Sequence, residues 1–355
     1  MNRRHVLSPA VLLLAAYTPV GCSSSEPAAS TGSRWTLSEA ATAIIDDEAL
    51  EARIALALDA AAQAGTDPSI SNYQVRAATL IGEAGDGRAV VGGNSEYFGY
   101  PEAIHGETSL MNHVINLVGP EEAKRQVDFL AFYTDGQCGG GGSCGDCRDY
   151  LMTTTRWREL LIVCGQSSDH TIHVKRFAPT IVPEAEFPVV SADETGLTPA
   201  ELDAVTSAAI EATAGGVSLF TTAEEHLGVA ALTTTGAIYR AAGADDAAFH
   251  YRYPVGAALQ QTATYRDYFV KAIAVAAAGG ATPRISYRDR QYGYESSSFN
   301  AKRGHPPIVL ITIEGRGSDV RYRRTTFEEA LPGAFSAASF MPEAVDRFLA
   351  ERADG

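Results

Sequence analysis

The order of elements along this 355-residue chain starts again near Gly196, so one architecture is encoded twice. In the first pass a helical pattern over Ser38 to Ala64 leads to strand-like runs at Tyr73 to Ile81 and Arg88 to Gly92. A helix over Thr108 to Val118 follows, with Leu110, Val114 and Leu117 at helical intervals. Next come a strand at Asp128 to Thr134, a helix running from Cys144 into Tyr150 and Leu151, and strands near Leu160 to Cys164 and Thr171 to Lys175. In the second pass, Thr198-Pro199-Ala200-Glu201 is a capping box with Pro at the first helical position, opening a helix to about Thr213. Gly228 to Leu232, a turn at Gly236, and Ala237-Ile238-Tyr239 echo Val75 to Leu80, Gly87 and Arg88 to Val91. Each pass closes on a similar phrase, Val182-Pro183-Glu184-Ala185 and Leu331-Pro332-Gly333-Ala334-Phe335. Alternating strands and helices predict a mixed sheet flanked by helices, and the repeat predicts two such α/β/α domains in tandem. At this length the chain can bury a core in each.

The chemistry is concentrated in the first copy. His105-Gly106-Glu107 is followed, after 36 residues, by Cys144-Gly145-Asp146-Cys147. One imidazole and two thiolates are zinc ligands, and three protein ligands leave a fourth tetrahedral position open to water. Glu107 then need not bind the metal and is available as a proton carrier. Each motif is placed at the start of a helix, where partial positive charge and unpaired N–H groups favour a thiolate over a thiol. Alone, Cys-x-x-Cys also suits a redox pair or half of a structural site. A closed four-cysteine site would need Cys138 and Cys164, which do not form a second Cys-x-x-Cys, and a redox pair does not need His-x-Glu upstream. His113, His170 and His173 read as solvated or strand-face residues. The second copy has no Cys after Cys164, and Tyr253-Pro254-Val255-Gly256-Ala257-Ala258-Leu259 stands where His-x-Glu would be, so it carries no such site.

Charge limits the partners. With 28 Lys and Arg against 43 Asp and Glu the formal net charge is −15, and no basic run with interleaved aromatics occurs. A polyphosphate is repelled by such a chain, which excludes nucleic acid as a partner and favours a neutral, phosphate-free small molecule. The run Gly139 to Gly142 lacks the Lys-Ser/Thr ending of a phosphate cradle and reads as a flexible loop.

The N-terminus reads as an export signal. Arg3 and Arg4 precede an apolar stretch centred on Val11 to Ala16, then Val20-Gly21-Cys22. This resembles a bacterial lipoprotein signal with Cys22 as the lipidated residue, though Pro19 stands where Leu is usual. Asn2-Arg3-Arg4-His5-Val6-Leu7 also resembles a twin-arginine signal, a route that exports folded protein and would let zinc be loaded beforehand. Residues 1–21 are thus an expected signal and 22–34 a flexible tether, rich in Ser, Ala and Gly. The expected location is a bacterial envelope, with the membrane touched only through Cys22. An uncleaved apolar N-terminus on a cytoplasmic protein is the alternative.

From about Leu37 to Phe340 the chain resembles cytidine deaminase of the two-domain bacterial type, in which a zinc-bearing domain is followed by a degenerate one. The resemblance rests on Ile70-Ser71-Asn72-Tyr73-Gln74-Val75, Gly93-Asn94-Ser95-Glu96, the two zinc motifs with Arg148, and the closing Leu-Pro-x-Ala-Phe phrase, all in the family's order. It implies tandem cytidine-deaminase-like domains, 35–192 catalytic and 193–355 degenerate. It also implies one zinc per chain on His105, Cys144 and Cys147, with Glu107 as the catalytic proton shuttle. Asn94 and Glu96 match residues that hold a ribose hydroxyl, and Tyr73 matches an aromatic that packs on the base. The implied reaction is hydrolytic deamination of cytidine or deoxycytidine to uridine or deoxyuridine with release of ammonia, through attack of zinc hydroxide at C4, as in pyrimidine salvage. A homodimer is also implied, two chains supplying four similar domains. The sequence departs from the family at Gly106 (for Ala), Ser143 (for Pro), Arg76 (for Gly) and in the longer loop Cys138 to Gly142. These departures leave open a modified nucleoside as substrate, such as a nucleoside antibiotic. A lipid-anchored zinc protein that binds a nucleoside or other partner without catalysis also remains open.

Overall fold

Alternation of buried side chains along the strands decides which helices lie on which face. In the first sheet Ala78 and Leu80 pack on one side with Phe129, Ala131 and Val163, while Ala77, Ile81, Leu130 and Ile162 pack on the other. This is the period-two pattern of a strand buried on both faces. The structure, a computed structural model, describes residues 33–82, 87–96, 103–134, 138, 143–218, 221–245, 251–334, 336 and 342–350. The expected signal and lipidated Cys22 lie outside them.

The first sheet contains β1 (Thr36–Leu37), β2 (Arg76–Ile81), β3 (Arg88–Gly93), β4 (Phe129–Thr134), β5 (Leu161–Gln166) and β6 (Thr171–Arg176) in the order β1-β6-β5-β4-β2-β3. Helices α1 (Glu39–Thr42) and α2 (Glu48–Ala61) cover one face. The other is covered by α3 (Gly106–Val118), α4 (Pro120–Gln126) and α5 (Gly145–Thr154). Strands β4 and β5 run parallel, joined through α5, and β2 is antiparallel to both of its neighbours.

The second sheet repeats this plan with β7 (Val189–Val190), β8 (Leu227–Thr233), β9 (Ile238–Ala242), β12 (Val270–Ala277), β13 (Val309–Glu314) and β14 (Arg321–Thr326), in the order β7-β14-β13-β12-β8-β9. A small hairpin, β10 (Ala244–Asp245) and β11 (Tyr251–Arg252), stands apart. Again the parallel pair is the crossover pair, β12 and β13, with α8 (Tyr287–Lys302) between them in sequence. Helix α6 (Pro199–Ala212) covers one face, and α7 (Pro254–Thr264), α8 and α9 (Phe327–Ala330) lie on the other. The edges differ: β1 is parallel to β6, while β7 is antiparallel to β14. The chain is therefore α/β, two mixed sheets each flanked by helices. No described helix is long and apolar enough to cross a membrane.

The two halves meet through their inner helices. Tyr287 of α8 and Leu331 are buried in the core that holds Leu110, Met111 and Leu151 of the first half. In exchange, Phe187, and more loosely Val182, pack into the second half's core with Phe327. Arg148 of α5 is fully buried and donates to the carbonyls of Ser143, Thr180 and Pro332, each at 2.8 Å. Arg290 of α8 makes the matching set, donating to Val182 O (2.6 Å), Ala330 O (2.9 Å) and the Glu184 carboxylate (2.7 Å). The repeated Val-Pro and Leu-Pro phrases are thus where each half is held by a buried arginine.

Candidate metal centre and active site

Both motifs fall where the sequence places them, at helix starts on one face of the first sheet. His105 is the residue before α3 and Cys144 the residue before α5, each with extended backbone (ψ 153° and 169°). His105 Nδ1 lies 3.1 Å from Cys144 Sγ and 3.2 Å from Cys147 Sγ. The three donor atoms all lie within 4.8 Å of one another, and both thiols are buried. Ligand atoms on a tetrahedral zinc, at about 2.0 Å for nitrogen and about 2.3 Å for sulfur, stand roughly 3.5 Å apart. The donor set and its convergence therefore fit one tetrahedral ion, with three positions filled by protein. Among the described residues this is the one group of three His, Cys, Asp or Glu that could hold a metal.

Glu107 lies in the first turn of α3 and is 7% exposed. Burial holds its carboxyl above the ordinary range, and the negative charge of Cys144 adds to the rise. Burial lowers the pKa of His105, but its hydrogen bond to Cys144, with the charges of Cys144, Glu107 and Asp146, outweighs this and pushes it up to about 9. A hydrogen bond from Cys147, followed by those from His105 and the Cys147 backbone N–H, favours the Cys144 thiolate, whereas burial holds the Cys147 thiol up. The chemistry this permits is that of a soft, divalent-metal donor set with a buried proton carrier beside it.

Tyr73 lies within electrostatic reach of Glu107. It is 44% exposed, and burial of its hydroxyl followed by the charge of Glu107 raises its pKa. Asn94 and Glu96 lie at the end of β3 and are buried, holding the loop that carries Tyr73. Asn94 Oδ1 accepts from Val75 N–H (2.9 Å), and its Nδ2 donates to Tyr73 O (2.8 Å). Glu96 accepts from the N–H groups of Ile70 (3.1 Å) and Ser71 (2.7 Å) and from the Ser71 hydroxyl (2.6 Å). Among the described residues, one proton and one lone pair of the Asn94 amide have no further partner. The strand read from Tyr73 starts instead at Arg76, because Asn94 takes the backbone groups of Tyr73 and Val75.

Of the positions singled out in the sequence, Gly106 has a steric reason. A Cβ on Gly106 would lie 2.8 Å from Val75 Cγ1 and 3.0 Å from Val75 O, so Val75 calls for glycine there. The carbonyl of Ser143 accepts from Arg148, while its hydroxyl is buried without a hydrogen-bond partner among the described residues. The guanidinium of Arg76 lies over the ring of Tyr133 (5.6 Å) and bonds Gln74. Cys138 and Cys164 are joined to each other in a disulfide, which removes them as metal ligands. The sequence treats them singly and does not find the pair. His113 bonds Val91 O, and His170 packs edge-on against Trp35.

No family model and no curated protein matches the chain. Among solved structures it is similar to cytidine deaminase from Burkholderia pseudomallei, at 20% identity over 37% of this chain and 94% of that one, with a TM-score of 0.30. It is similar also to cytidine deaminase from Mycobacterium leprae, at 20% identity over 38% and 97%, with a TM-score of 0.26. The enzyme from Mycobacterium tuberculosis matches at 26% identity over 33% and 85%, with a TM-score of 0.24. At TM-scores of 0.30 and below, the functional reading rests on the side chains of the site itself.

Proposed function

We propose that this protein is a zinc-dependent hydrolytic deaminase of a pyrimidine nucleoside, converting cytidine or deoxycytidine and water to the uridine counterpart and ammonia. The observation that carries the reading is the convergence of His105 Nδ1 on the two sulfurs of Cys144 and Cys147, with Glu107 buried at the same helix start. Held by those three residues, zinc supplies a Lewis acid that brings the pKa of water down to about 7. Glu107 would carry both protons of the water in turn: the first goes to ring N3 as the oxygen bonds C4, and the second, from the new C4 hydroxyl, goes to the amine as the C4–N4 bond breaks and ammonia leaves. A carboxyl whose pKa is raised by burial suits both the taking and the giving. Tyr73, within electrostatic reach of Glu107, offers a half-exposed face for the base, and the amide capacity left on Asn94 is available to a sugar hydroxyl. The net charge of −15 supports a neutral nucleoside over a nucleotide or polynucleotide.

Export to an oxidising compartment belongs to the proposal and is supported by the Cys138–Cys164 disulfide, since such bonds persist outside the cytosol. Lipidation of Cys22 and a homodimer rest on the resemblances in the sequence. The second reading, a zinc protein that holds a nucleoside or other partner without turning it over, would use the same residues. Ammonia release from cytidine, deoxycytidine and free cytosine separates the two. The proposal expects release from the nucleosides and little from cytosine, which offers no sugar hydroxyl. Binding of cytidine with no ammonia from any of the three supports the second reading.

A further inference from the structure

Helix α5, whose first turn carries the thiols, meets α8 of the second half N-terminus to N-terminus. Each fills unpaired N–H groups of the other. Asp149 accepts from the N–H groups of Tyr287 (3.1 Å) and Arg288 (3.0 Å), the first two residues of α8. In return, Gln291 Oε1 accepts from the N–H of Gly145 (3.2 Å), the first residue of α5. Asp149 and Gln291 occupy the same position counted from each helix start. Arg288 Nη1 also reaches Asp146 Oδ1 at 2.9 Å. The approach is close enough that a Cβ on Gly145 would lie 1.9 Å from Tyr287 O.

Resting on the metal-site reading above, we infer that Gln291 is a positioning residue for the metal-binding thiolates, and that this is what the ligand-free second half supplies to the site. The peptide joining Cys144 to Gly145 is gripped at both ends: its carbonyl accepts from Arg148 N–H (3.0 Å) and its N–H donates to Gln291. Those two bonds fix ψ of Cys144, and with it the direction of the Cα–Cβ bond and of Sγ. They also hold the first turn of α5, which carries Cys147, in register. Without Gln291 the Gly145 N–H is a buried donor with no acceptor, and the peptide turns to find one. Outer partners of this kind orient metal ligands and tune affinity by roughly 10–100-fold.

The test compares the full chain with Gln291→Leu, which removes the acceptor at similar size, and Gln291→Glu, which keeps one. Zinc affinity is measured by chelator competition, and the thiolate-to-metal charge-transfer band is recorded after cobalt(II) substitution. Glu184→Gln is the control, since Glu184 bonds Arg290 across the same boundary without touching α5. We expect Gln291→Leu to bind zinc about 10–100-fold more weakly with a shifted cobalt band. Gln291→Glu should recover most of the affinity, and Glu184→Gln should leave it unchanged. If Gln291→Leu does not fold, Gln291→Asn, which draws the acceptor back by one methylene, carries the same expectation. Parental affinity and spectrum in Gln291→Leu overturn the inference, as does an equal loss in Glu184→Gln. A parent chain that binds neither zinc nor cobalt overturns the metal-site reading itself, and the inference with it.

Discussion

Cys147 and Asp289 occupy the same position, third in α5 and third in α8, and show what stands in the second half where the first has its His/Cys/Cys cluster. Where the Cys147 sulfur faces His105 at the start of α3, the Asp289 carboxylate accepts from the N–H groups of Val255 (2.8 Å) and Gly256 (3.2 Å) at the start of α7. It is wholly buried, and burial raises its pKa from 3.8 to about 7 despite those bonds and one with Ser286. Because the folded value is above the unfolded one, the penalty is absent below about pH 4, grows as pH rises, and is complete above about pH 7. A shift of this size corresponds to the order of 4 kcal/mol. Denaturant titrations of the parent between pH 4.5 and pH 8 should therefore lose stability with rising pH, and Asp289→Asn should lose less; parallel curves would refute this role. The convergence of His105, Cys144 and Cys147 was legible because their residue types are rare and the spacing within each motif is local. Gln291 and Arg148 were not, since their partners Gly145 and Pro332 lie 146 and 184 residues away.

In the first half the elements with an apolar stripe were found within a few residues, whereas in the second half the apolar strands β12 and β13 and helix α7 went unread. The pattern over Ser38 to Ala64 is two helices, separated where the Asp47 side chain accepts from Ala49 N–H and caps α2. Helix α8 had no legible stripe, because what it buries includes Asp289, Arg290, Gln291, Ser297 and Asn300, each hydrogen-bonded to a partner distant in sequence or a turn away. Its packing on α5 makes a sharp expectation for one glycine. Gly145→Ala would drive a methyl into the Tyr287 carbonyl, a backbone atom that can yield only if α8 shifts. The variant should be destabilised by about 1–3 kcal/mol or more, read as a lower denaturation midpoint. Unchanged stability would mean that the two helices are further apart than described.

At the scale of the whole molecule, the duplication was legible because turn residues and strand patterns recur in order, and apart from the short edge strands β1 and β7 both sheets carry the same run of parallel and antiparallel pairs. Which faces of the two halves meet was not legible, since that depends on the pairing of Arg148 and Arg290 with carbonyls of the opposite repeat. The disulfide was missed for the same reason. It ties the loop ahead of Cys144 to β5 across 26 residues. Replacing Cys138 and Cys164 together by Ser should lower stability by roughly 3 kcal/mol, seen in denaturant unfolding under non-reducing conditions. No difference from the parent would argue that the bond does not form in solution. The central claim is that one half is a working deaminase with Glu107 as its proton carrier. It is tested most directly by following the ultraviolet absorbance of cytidine with zinc-assayed parent beside Glu107→Ala. The account predicts loss of the cytidine spectrum with the parent, and at least a 100-fold slower loss with a variant that still binds one zinc per chain. Equal rates in the two proteins, or an unchanged spectrum with zinc-loaded parent, would contradict it.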